Sequence, residues 1–495
     1  MATIGERVQK GAAWMMLFKL VERSLGLVST IVLARLLLPA DFGLVAMATA
    51  VIALLELLSA FNFDMALIQN QSADRSHYDT AWTLNALFGL AVTVALLLMA
   101  LPLSAFFGDP RLVALLLVLA PGPLIRGLEN VGTVAFRKEL NFDQEFKFLI
   151  LKRLATFTIT IGLAFYLRSY WALAGGIIIG QVYGVALSYL VHAYRPRLSL
   201  AARHELFDFS KWILLNNLIS FAYLRAADFV IGRQVGAGAL GLYSVANQIS
   251  NMPTTELIAP INRAIYPGYA KISNDLSALR AGFVKTIAVI AMIALPAAAG
   301  IVAVAEIMVN TVLGPTWMDA VPLMQILALS GAIVALETNT FYIHLALGNV
   351  RPFTYLMGGT SLTLVVLLVV LSNIMGAVGA AVANLVVALA FFPLYYGAAM
   401  RRLELGIGPL VGALWRPLLA STVMWITVSY AMGHVTLGSS LDNIPELLGL
   451  VSLGVASYGL AILASWLLAG KPDGAERFAL DHIETLAGRL RQRER

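Results

Sequence analysis

Three charged side chains lie within five positions of an apolar stretch near the start of the chain, LFKLVERSLG (17–26). Lys19, Glu22 and Arg23 are spaced i, i+3 and i+4, so a helix places them on one face. Charge inside a membrane span is costly and usually faces a cavity or a partner. The two cations could hold an anionic group such as a phosphate through charge-assisted hydrogen bonds. The alternatives are that Lys19 extends to the membrane surface and that Glu22 neutralises a neighbour.

Four further basic residues lie inside apolar runs, and they are Arg126, Arg225, Arg263 and Arg416. Arg225 is near the middle of the run 210–232, and Asp228 follows it at i+3, so an ion pair is the alternative to ligand binding. Arg263 lies near the end of the run 237–265, where anchoring at the membrane surface is the alternative. The predicted cations of a substrate-binding cavity are Lys19, Arg23, Arg225 and Arg263.

Amide and hydroxyl side chains recur at roughly helical spacing in GLYSVANQISNMPTTELIAPINRAIYP (241–267). A polar stripe on a membrane helix must face protein or water. It suits sugar binding or packing between helices, and the sequence leaves both open. Pro253 and Pro260 are expected to bend this helix. The predicted polar lining of the cavity is Asn217, Tyr223, Asn247, Asn251 and Thr255.

Acidic side chains in the apolar runs are candidates for binding a coupling ion, H+ or Na+, and equally for ion pairs with the basic residues. They are Glu22, Glu56, Asp64, Glu129, Asp228, Glu256, Glu306 and Glu337. Of these, the predicted sites of ion coupling or ion pairing are Glu22, Glu56, Asp64, Asp228 and Glu256. The sequence has no G-x-x-x-x-G-K-[ST] loop, which argues against an ATPase engine within the chain. It has no cysteine, and its six histidines do not cluster at metal-ligand spacing. We therefore predict no metal, no cofactor and no catalytic residue.

Membrane-spanning helices must position these residues. The chain of 495 residues is 59% hydrophobic and 13% charged, about half the charge of a soluble protein. Apolar runs of about 20 residues, each long enough to cross a bilayer, recur from end to end. The predicted fold class is an all-α polytopic membrane protein with about fourteen transmembrane helices. The predicted spans are 12–37, 42–63, 80–101, 112–131, 148–167, 171–193, 210–232, 237–265, 286–307, 322–345, 353–372, 376–399, 409–430 and 446–469.

The distribution of basic residues predicts the orientation. With a cytoplasmic N-terminus, 24 of the 34 lysines and arginines fall in cytoplasmic loops and tails. The positive-inside rule therefore favours fourteen spans with both termini in the cytoplasm. The formal net charge of +6 is accounted for by the anionic face of the membrane, and no nucleic-acid partner is predicted.

A repeat at an offset of 198 residues predicts the domain organisation. Trp14 aligns with Trp212, and ARLLLPADFGLVAMA (34–48) aligns with GRQVGAGALGLYSVA (232–246). An offset of six spans gives two parallel six-helix repeats, an arrangement found in transporters. The predicted parts are an N-terminal lobe at 1–208, a C-terminal lobe at 209–400, an extra helix pair at 401–470 and a cytoplasmic amphipathic tail at 471–495.

The chain resembles the multidrug/oligosaccharidyl-lipid/polysaccharide (MOP) exporter superfamily, and within it the Wzx-type polysaccharide flippases of the colanic-acid-exporter-like branch. The resemblance rests on the opening GAAWMMLFKLVERSLGLVSTIVLARLLLPADFGLVAMA, the loop FRKELNFDQEFKF (136–148), and ADFVIGRQVGAGALGLYSVANQISNMP followed by INRAIYPGYAKIS. The element Ala-Arg-x-Leu-x-Pro-x-(Asp/Glu)-(Phe/Tyr)-Gly at 34–43 is fairly specific to such proteins.

The resemblance implies two lobes like those of lipid II flippases, around a cationic cavity that opens alternately to either side. It implies an oligosaccharide linked to undecaprenyl pyrophosphate as substrate, moved to the outer leaflet of the bacterial inner membrane for polysaccharide or lipopolysaccharide biosynthesis. Membrane lipids and polysaccharide polymerase or assembly proteins are the other implied partners, and the extra helix pair is expected to hold the polyprenyl tail. The alternatives are an ion-coupled multidrug or metabolite antiporter of the same superfamily and a membrane polysaccharide polymerase or ligase.

Overall fold

The computed structural model describes residues 4–57, 63–253, 257–435, 438, 443–472, 474, 476 and 477, with only the backbone described at 4–9, 12, 204, 206–219 and 259. The regular elements among these residues are helices, without a β-strand. The all-α polytopic fold class is therefore confirmed. Most of the predicted amphipathic tail at 471–495 lies outside the described residues.

Eleven helices occupy the first half of the chain. They are α1 (Ile4–Leu36), α2 (Pro39–Leu57), α3 (Phe63–Gln69), α4 (Arg75–Phe107), α5 (Arg111–Leu119), α6 (Pro121–Gly127), α7 (Ala135–Lys138), α8 (Phe142–Leu167), α9 (Tyr170–Val191), α10 (Arg203–Gln234) and α11 (Ala237–Pro253). Six more follow: α12 (Ala259–Lys271), α13 (Leu276–Met308), α14 (Val321–Ala346), α15 (Arg351–Leu403), α16 (Ile407–Met432) and α17 (Ile444–Leu468).

Every predicted span overlaps one of these helices. In the described part of the chain, nine helices are long and apolar enough to cross a membrane, or ten if one bent pair forms a single span. The count of about fourteen stays a prediction. Two predicted spans, 353–372 and 376–399, meet in α15, where Gly376 has a non-helical backbone (φ 61°, ψ −142°).

The predicted span 112–131 ends at a bend in the chain. The chain bends by 61° between Arg111–Gly127 and Val131–Lys138. The fully buried Asn130 stabilises the bend, because its side-chain oxygen accepts from the Gly132 N–H at 2.9 Å and its amide donates to the Tyr194 carbonyl at 2.9 Å. A buried side chain thus replaces helical hydrogen bonds at this position.

The chain folds into two compact units, Met1–Ser244 and Val245–Arg495, divided within α11. In the first unit, α1 packs on α8 and α8 packs on α9. Glycines allow the close approach of α8 and α9: a Cβ on Gly176 would lie 2.0 Å from Thr160 Oγ1, and one on Gly180 would lie 2.5 Å from Thr156 Oγ1. Small residues are the usual means of close helix packing in membranes. The predicted domain boundaries stay predictions.

In the second unit, α13 packs against α14, α16 and α17. The buried side chains of Phe283, Ile287 and Ile290 on α13 form part of its apolar core. Before α13, the exposed Asp275 caps the helix by accepting from the backbone N–H groups of Ser277 and Ala278. The bond from the Ser277 hydroxyl, followed by these backbone bonds, holds the pKa of Asp275 below its usual range.

Candidate functional site

The predicted cations Lys19 and Arg23 both lie exposed on α1 in the N-terminal unit. Lys19 Nζ lies 2.7 Å from Glu22 Oε2, while 57% of the lysine side chain stays accessible. The carboxylate thus pairs with one of its two basic neighbours, as the spacing allowed. Glu22 therefore partly neutralises Lys19, whose side chain remains accessible at the helix surface.

Arg153 on α8 is a cation near α1, and it is one of the 24 basic residues that the sequence assigns to the cytoplasmic side. It follows the start of α8 by eleven residues, or about 17 Å along the helix axis. A Cβ on Gly26 of α1 would lie 3.3 Å from Arg153 Nη2. Its buried Nε has no hydrogen-bond partner among the described residues. In the sequence, the hydrophobic residues 148–151 before Arg153 were the feature that indicated a place within the helix.

Arg225 and Asp228 form an ion pair on α10, in the same unit. Arg225 Nη1 lies 3.1 Å from Asp228 Oδ2, and the accessible fractions of the two side chains are 46% and 12%. The guanidinium therefore keeps an accessible surface while the carboxylate lies almost buried behind it. A guanidinium has five N–H donors, so one carboxylate leaves donors for a further anion.

Arg263 lies exposed on α12 in the C-terminal unit. Within the described part of the chain it forms no ion pair. Lys19, Arg23 and Arg225 thus belong to the N-terminal unit and Arg263 to the other.

The predicted polar lining is described only in part. Asn251 Nδ2 donates to the side-chain oxygen of Asn247 at 2.6 Å and to its carbonyl oxygen at 3.1 Å, and both residues are half-buried on α11. Tyr223 is half-buried on α10. The side chain of Asn217, and the whole of Thr255 and Glu256, lie outside the described residues.

Part of the polar stripe packs helices together. Ser250 donates to the Met324 carbonyl of α14 at 2.9 Å, and Asn262 donates to Thr338 Oγ1 of α14 at 2.8 Å. Both side chains are buried. For these residues, interhelical packing accounts for the polar group, whereas the bond between Asn251 and Asn247 lies within α11.

Glu56 and Asp64 line one cavity of about 450 Å³ in the N-terminal unit. Glu56 Oε2 lies 2.8 Å from Arg126 Nη1, and Asp64 Oδ2 lies 3.9 Å from Arg137 Nη2. Arg137 Nε also lies 2.8 Å from the buried Glu145. The cavity thus brings two of the predicted ion-coupling residues together, and each has an arginine beside it.

Glu337 on α14 is a buried carboxyl group that the sequence did not distinguish from the other acids in apolar runs. Its Oε1 has no hydrogen-bond partner in the described part of the chain. Asn339, two residues on, likewise has a buried side-chain nitrogen without a partner among these residues. Burying unsatisfied polar groups is costly, so such groups are typical of sites that bind a proton, ion or water. Only burial distinguishes Glu337, and a single sequence does not report burial.

In the part of the chain that the structure describes, no three His, Cys, Asp or Glu side chains form a group that could hold a metal ion.

Comparison with known proteins decides the family. Residues 32–322 match the family described as "Polysaccharide biosynthesis protein", and this match covers more than half of the chain. The chain belongs to the polysaccharide biosynthesis protein family. It is 27% identical over 446 residues to the lipopolysaccharide biosynthesis protein WzxC of Escherichia coli K12, a match that covers 88% of this chain and 89% of that relative.

Solved structures confirm the fold. The inward closed conformation of the lipid II flippase MurJ matches with a TM-score of 0.75 at 12% identity, over 91% of this chain and 98% of that structure. An inward-facing multidrug resistance MATE transporter of the MOP superfamily matches with a TM-score of 0.59 at 16% identity, over 77% of this chain and 95% of that structure. The chain thus has the fold shared by these two transporters.

Proposed function

We propose that this protein is a flippase for a lipid-linked oligosaccharide used in surface polysaccharide biosynthesis. The observation that carries the proposal is the placing of accessible cations on α1 and α10 in a polysaccharide biosynthesis protein with the fold of a lipid flippase. The proposed substrate is linked to undecaprenyl pyrophosphate and moves from the cytoplasmic to the periplasmic leaflet by alternating access. The proposed location is the bacterial inner membrane, with both termini in the cytoplasm.

The two ion pairs suit reversible binding of a pyrophosphate. Moving a pyrophosphate through hydrocarbon without compensation would cost many kcal/mol. Lys19 and Arg225 each hold one carboxylate at 2.7 and 3.1 Å and remain accessible. An incoming phosphate would share or replace the carboxylate contacts, so binding exchanges one charge-assisted bond for another. Each exchange yields little net free energy, which allows release on the far side.

The proposed energy source is a gradient of H+ or Na+. Glu22, Glu56, Asp64 and Asp228 each lie beside a basic residue, which suits charge compensation. Glu337, with its buried oxygen unpartnered among the described residues, is our preferred carboxyl group for the coupling ion. Polymerase and assembly proteins are the proposed downstream partners, because they would consume the flipped unit.

The antiporter alternative rests on the likeness to the MATE transporter, which extends over less of the chain than the likeness to MurJ. The accessible basic residues on α1 and α10 favour an anionic substrate over the cationic compounds of multidrug antiporters.

Depletion of the protein in its host tests the proposal. Mass spectrometry would count undecaprenyl-pyrophosphate-linked oligosaccharides while surface polysaccharide is quantified in the same cells. We expect the lipid-linked unit to accumulate and the surface glycan to fall, and re-expression of the protein to reverse both. If both quantities are unchanged in a strain with no second flippase, the proposal is wrong and the antiporter becomes the leading candidate.

A further inference from the structure

Three buried polar side chains follow one face of α14 in the C-terminal unit. Glu337, Thr340 and His344 are spaced i, i+3 and i+7, so they lie along the helix over about 10 Å. Their exposed fractions are 8%, 0% and 1%. We call these three residues the α14 file. A row of carboxyl and imidazole groups inside a membrane helix is typical of a proton relay.

The two titratable members of the α14 file each have a buried atom without a partner. Glu337 Oε1 and His344 Nδ1 form no hydrogen bond within the described part of the chain. Glu337 also forms no ion pair with a basic side chain there. An ionised carboxylate in such surroundings would lack both hydration and a compensating charge. A bound proton removes this cost, because it makes the carboxyl group neutral.

The hydroxyl groups around Glu337 already donate their protons elsewhere. Glu337 acts electrostatically on Tyr395 and Tyr396 of α15. The Tyr396 hydroxyl donates to the Leu336 carbonyl at 3.0 Å. Thr360 donates to a backbone carbonyl, so in its 3.0 Å bond with Tyr395 the tyrosine is the donor. These hydroxyls therefore have no proton left for a carboxylate at Glu337, while their oxygens can still accept one from a carboxylic acid.

Groups from three neighbouring helices face this part of α14. From α12, the Tyr269 hydroxyl lies 3.3 Å from Asn339 Oδ1. From α13, Phe283 packs in the apolar core that it shares with α14. From the end of α15, the guanidinium of Arg402 acts electrostatically on His344. Hydroxyl, amide and apolar groups of the described residues thus surround the α14 file, with a cation at its His344 end.

His344 lies at the end of α14 that the sequence assigns to the cytoplasm. It precedes the last residue of the helix, Ala346, by two positions, whereas Glu337 lies about 10 Å farther in. Arg401 and Arg402, in the last turn of α15, mark the same end under the positive-inside rule. An imidazole gains and loses its proton near neutral pH, so His344 suits exchange between the aqueous face and the buried carboxyl group.

We propose that the α14 file carries the coupling ion as a proton, which Glu337 binds and His344 exchanges with the cytoplasmic side. The imidazolium of His344 gives up one proton, the Thr340 hydroxyl and entering water pass it on, and the carboxylate of Glu337 becomes the neutral acid. Release reverses these transfers. A proton needs only the one acceptor that Glu337 supplies, whereas a hard metal cation such as sodium needs several converging oxygen ligands.

This inference rests on the proposed function only for the process that the proton drives. It selects H+ over Na+ as the coupling ion, and it assigns His344 as the residue that positions and relays the proton. The tests below use the purified full-length protein without its transport substrate.

Infrared difference spectroscopy between acidic and alkaline buffer tests proton binding. We expect the carbonyl band of a protonated carboxylic acid, which Glu337→Gln removes. The matched control, Glu306→Gln, replaces an exposed acid of α13 and should retain the band. Exchange of choline chloride for NaCl at constant pH should leave the band unchanged. Loss of the band on addition of Na+ would assign the site to sodium, and a spectrum unchanged by Glu337→Gln would assign the proton to another group. Either result overturns the proposal.

Hydrogen–deuterium exchange of the same band tests the relay. After transfer to D2O, the band shifts as the Glu337 proton is replaced, and we expect this exchange to be at least 10-fold slower in His344→Gln than in wild type. His434→Gln, which removes an exposed histidine, should exchange as wild type does. Thr340→Val should also slow the exchange, which provides a second test where His344→Gln fails to fold. Wild-type exchange rates in His344→Gln, or in Thr340→Val if it alone folds, would contradict the relay.

The spectra and the flippase assay can fail separately. Absence of leaflet transfer together with the expected spectra would reject the proposed function and retain the proton site. Normal leaflet transfer together with a spectrum unchanged by Glu337→Gln would reject the α14 file and retain the flippase.

Discussion

Gly43 on α2 packs against the start of α11, and Gly241 on α11 packs against the start of α2, within the N-terminal unit. A Cβ on Gly43 would lie 1.7 Å from the Ala237 carbonyl oxygen, and a Cβ on Gly241 would lie 1.8 Å from the Pro39 carbonyl oxygen. Both the glycines and the two carbonyl residues are separated by 198 positions, the offset of the internal repeat. The helix starts therefore meet reciprocally, as expected where repeat-related elements pack around a local two-fold axis.

Gly43→Ala and Gly241→Ala should each destabilise the protein, because backbone atoms occupy the space that a methyl group needs. Overpacking of this kind costs about 1–3 kcal/mol or more. Membrane abundance and thermal stability in detergent would measure the effect. Gly238→Ala is the matched control on α11, since a Cβ there meets nothing within 4 Å. Equal stability of all three variants would contradict the described contact.

Removal of Arg225 should impair transport more than it impairs folding. The guanidinium is about half accessible, so Arg225→Gln should lower polysaccharide export at least 10-fold while the protein remains abundant in the membrane. The exchange Arg225→Asp/Asp228→Arg restores an ion pair but moves the cation by one turn. If this double variant exports normally, Arg225 serves a structural ion pair and does not bind substrate.

Substitution of Glu22 and substitution of Lys19 with Arg23 should change pyrophosphate binding in opposite directions. Glu22→Gln removes the partner of Lys19 and should strengthen retention of a pyrophosphate, whereas Lys19→Gln/Arg23→Gln should weaken it. Binding of an undecaprenyl-pyrophosphate glycolipid to the purified variants, measured as a function of salt, would show the two shifts. Matching affinities in the Glu22→Gln and Lys19→Gln/Arg23→Gln variants would rule out substrate contact at this face.

Glu337→Gln should reduce the dependence of transport on an ion gradient while leaving the fold intact, because glutamine has nearly the same shape as glutamate. Glu306→Gln is the matched control, since Glu306 lies exposed on α13. Export would be assayed after the H+ and Na+ gradients are collapsed separately. Unaltered gradient dependence in Glu337→Gln, with wild-type abundance, would assign ion coupling to another residue.

The sequence predicted the features that depend on local pattern. Apolar runs located the helices, and the separation of the spans 353–372 and 376–399 agrees with the backbone break at Gly376. The i, i+3 spacing of Lys19 with Glu22 and of Arg225 with Asp228 also indicated the ion pairs that the structure contains. These features follow from helical geometry over one or two turns.

Features that depend on tertiary contacts could not be predicted. The bend near Asn130 rests on a hydrogen bond to Tyr194, which lies 64 positions along the chain. The place of Arg153 beside Gly26 of α1 could not be predicted, because it depends on the packing of two helices that are distant in the sequence. Glu337 had the same appearance as other acidic residues in apolar runs until its burial was known. In each case, the role of the residue depends on its neighbours in the folded structure.

Leaflet transfer by the purified protein would test the central claim most directly. Proteoliposomes would contain an undecaprenyl-pyrophosphate oligosaccharide isolated from the host, and a glycosidase that cannot cross the bilayer would measure the accessible fraction over time. We predict that wild type exposes the inner-leaflet pool and that Lys19→Gln/Arg23→Gln/Arg225→Gln, reconstituted at equal density, exposes it at least 10-fold more slowly. The account would be contradicted if wild type transferred the lipid no faster than protein-free liposomes do. It would also be contradicted if the triple variant transferred it at the wild-type rate.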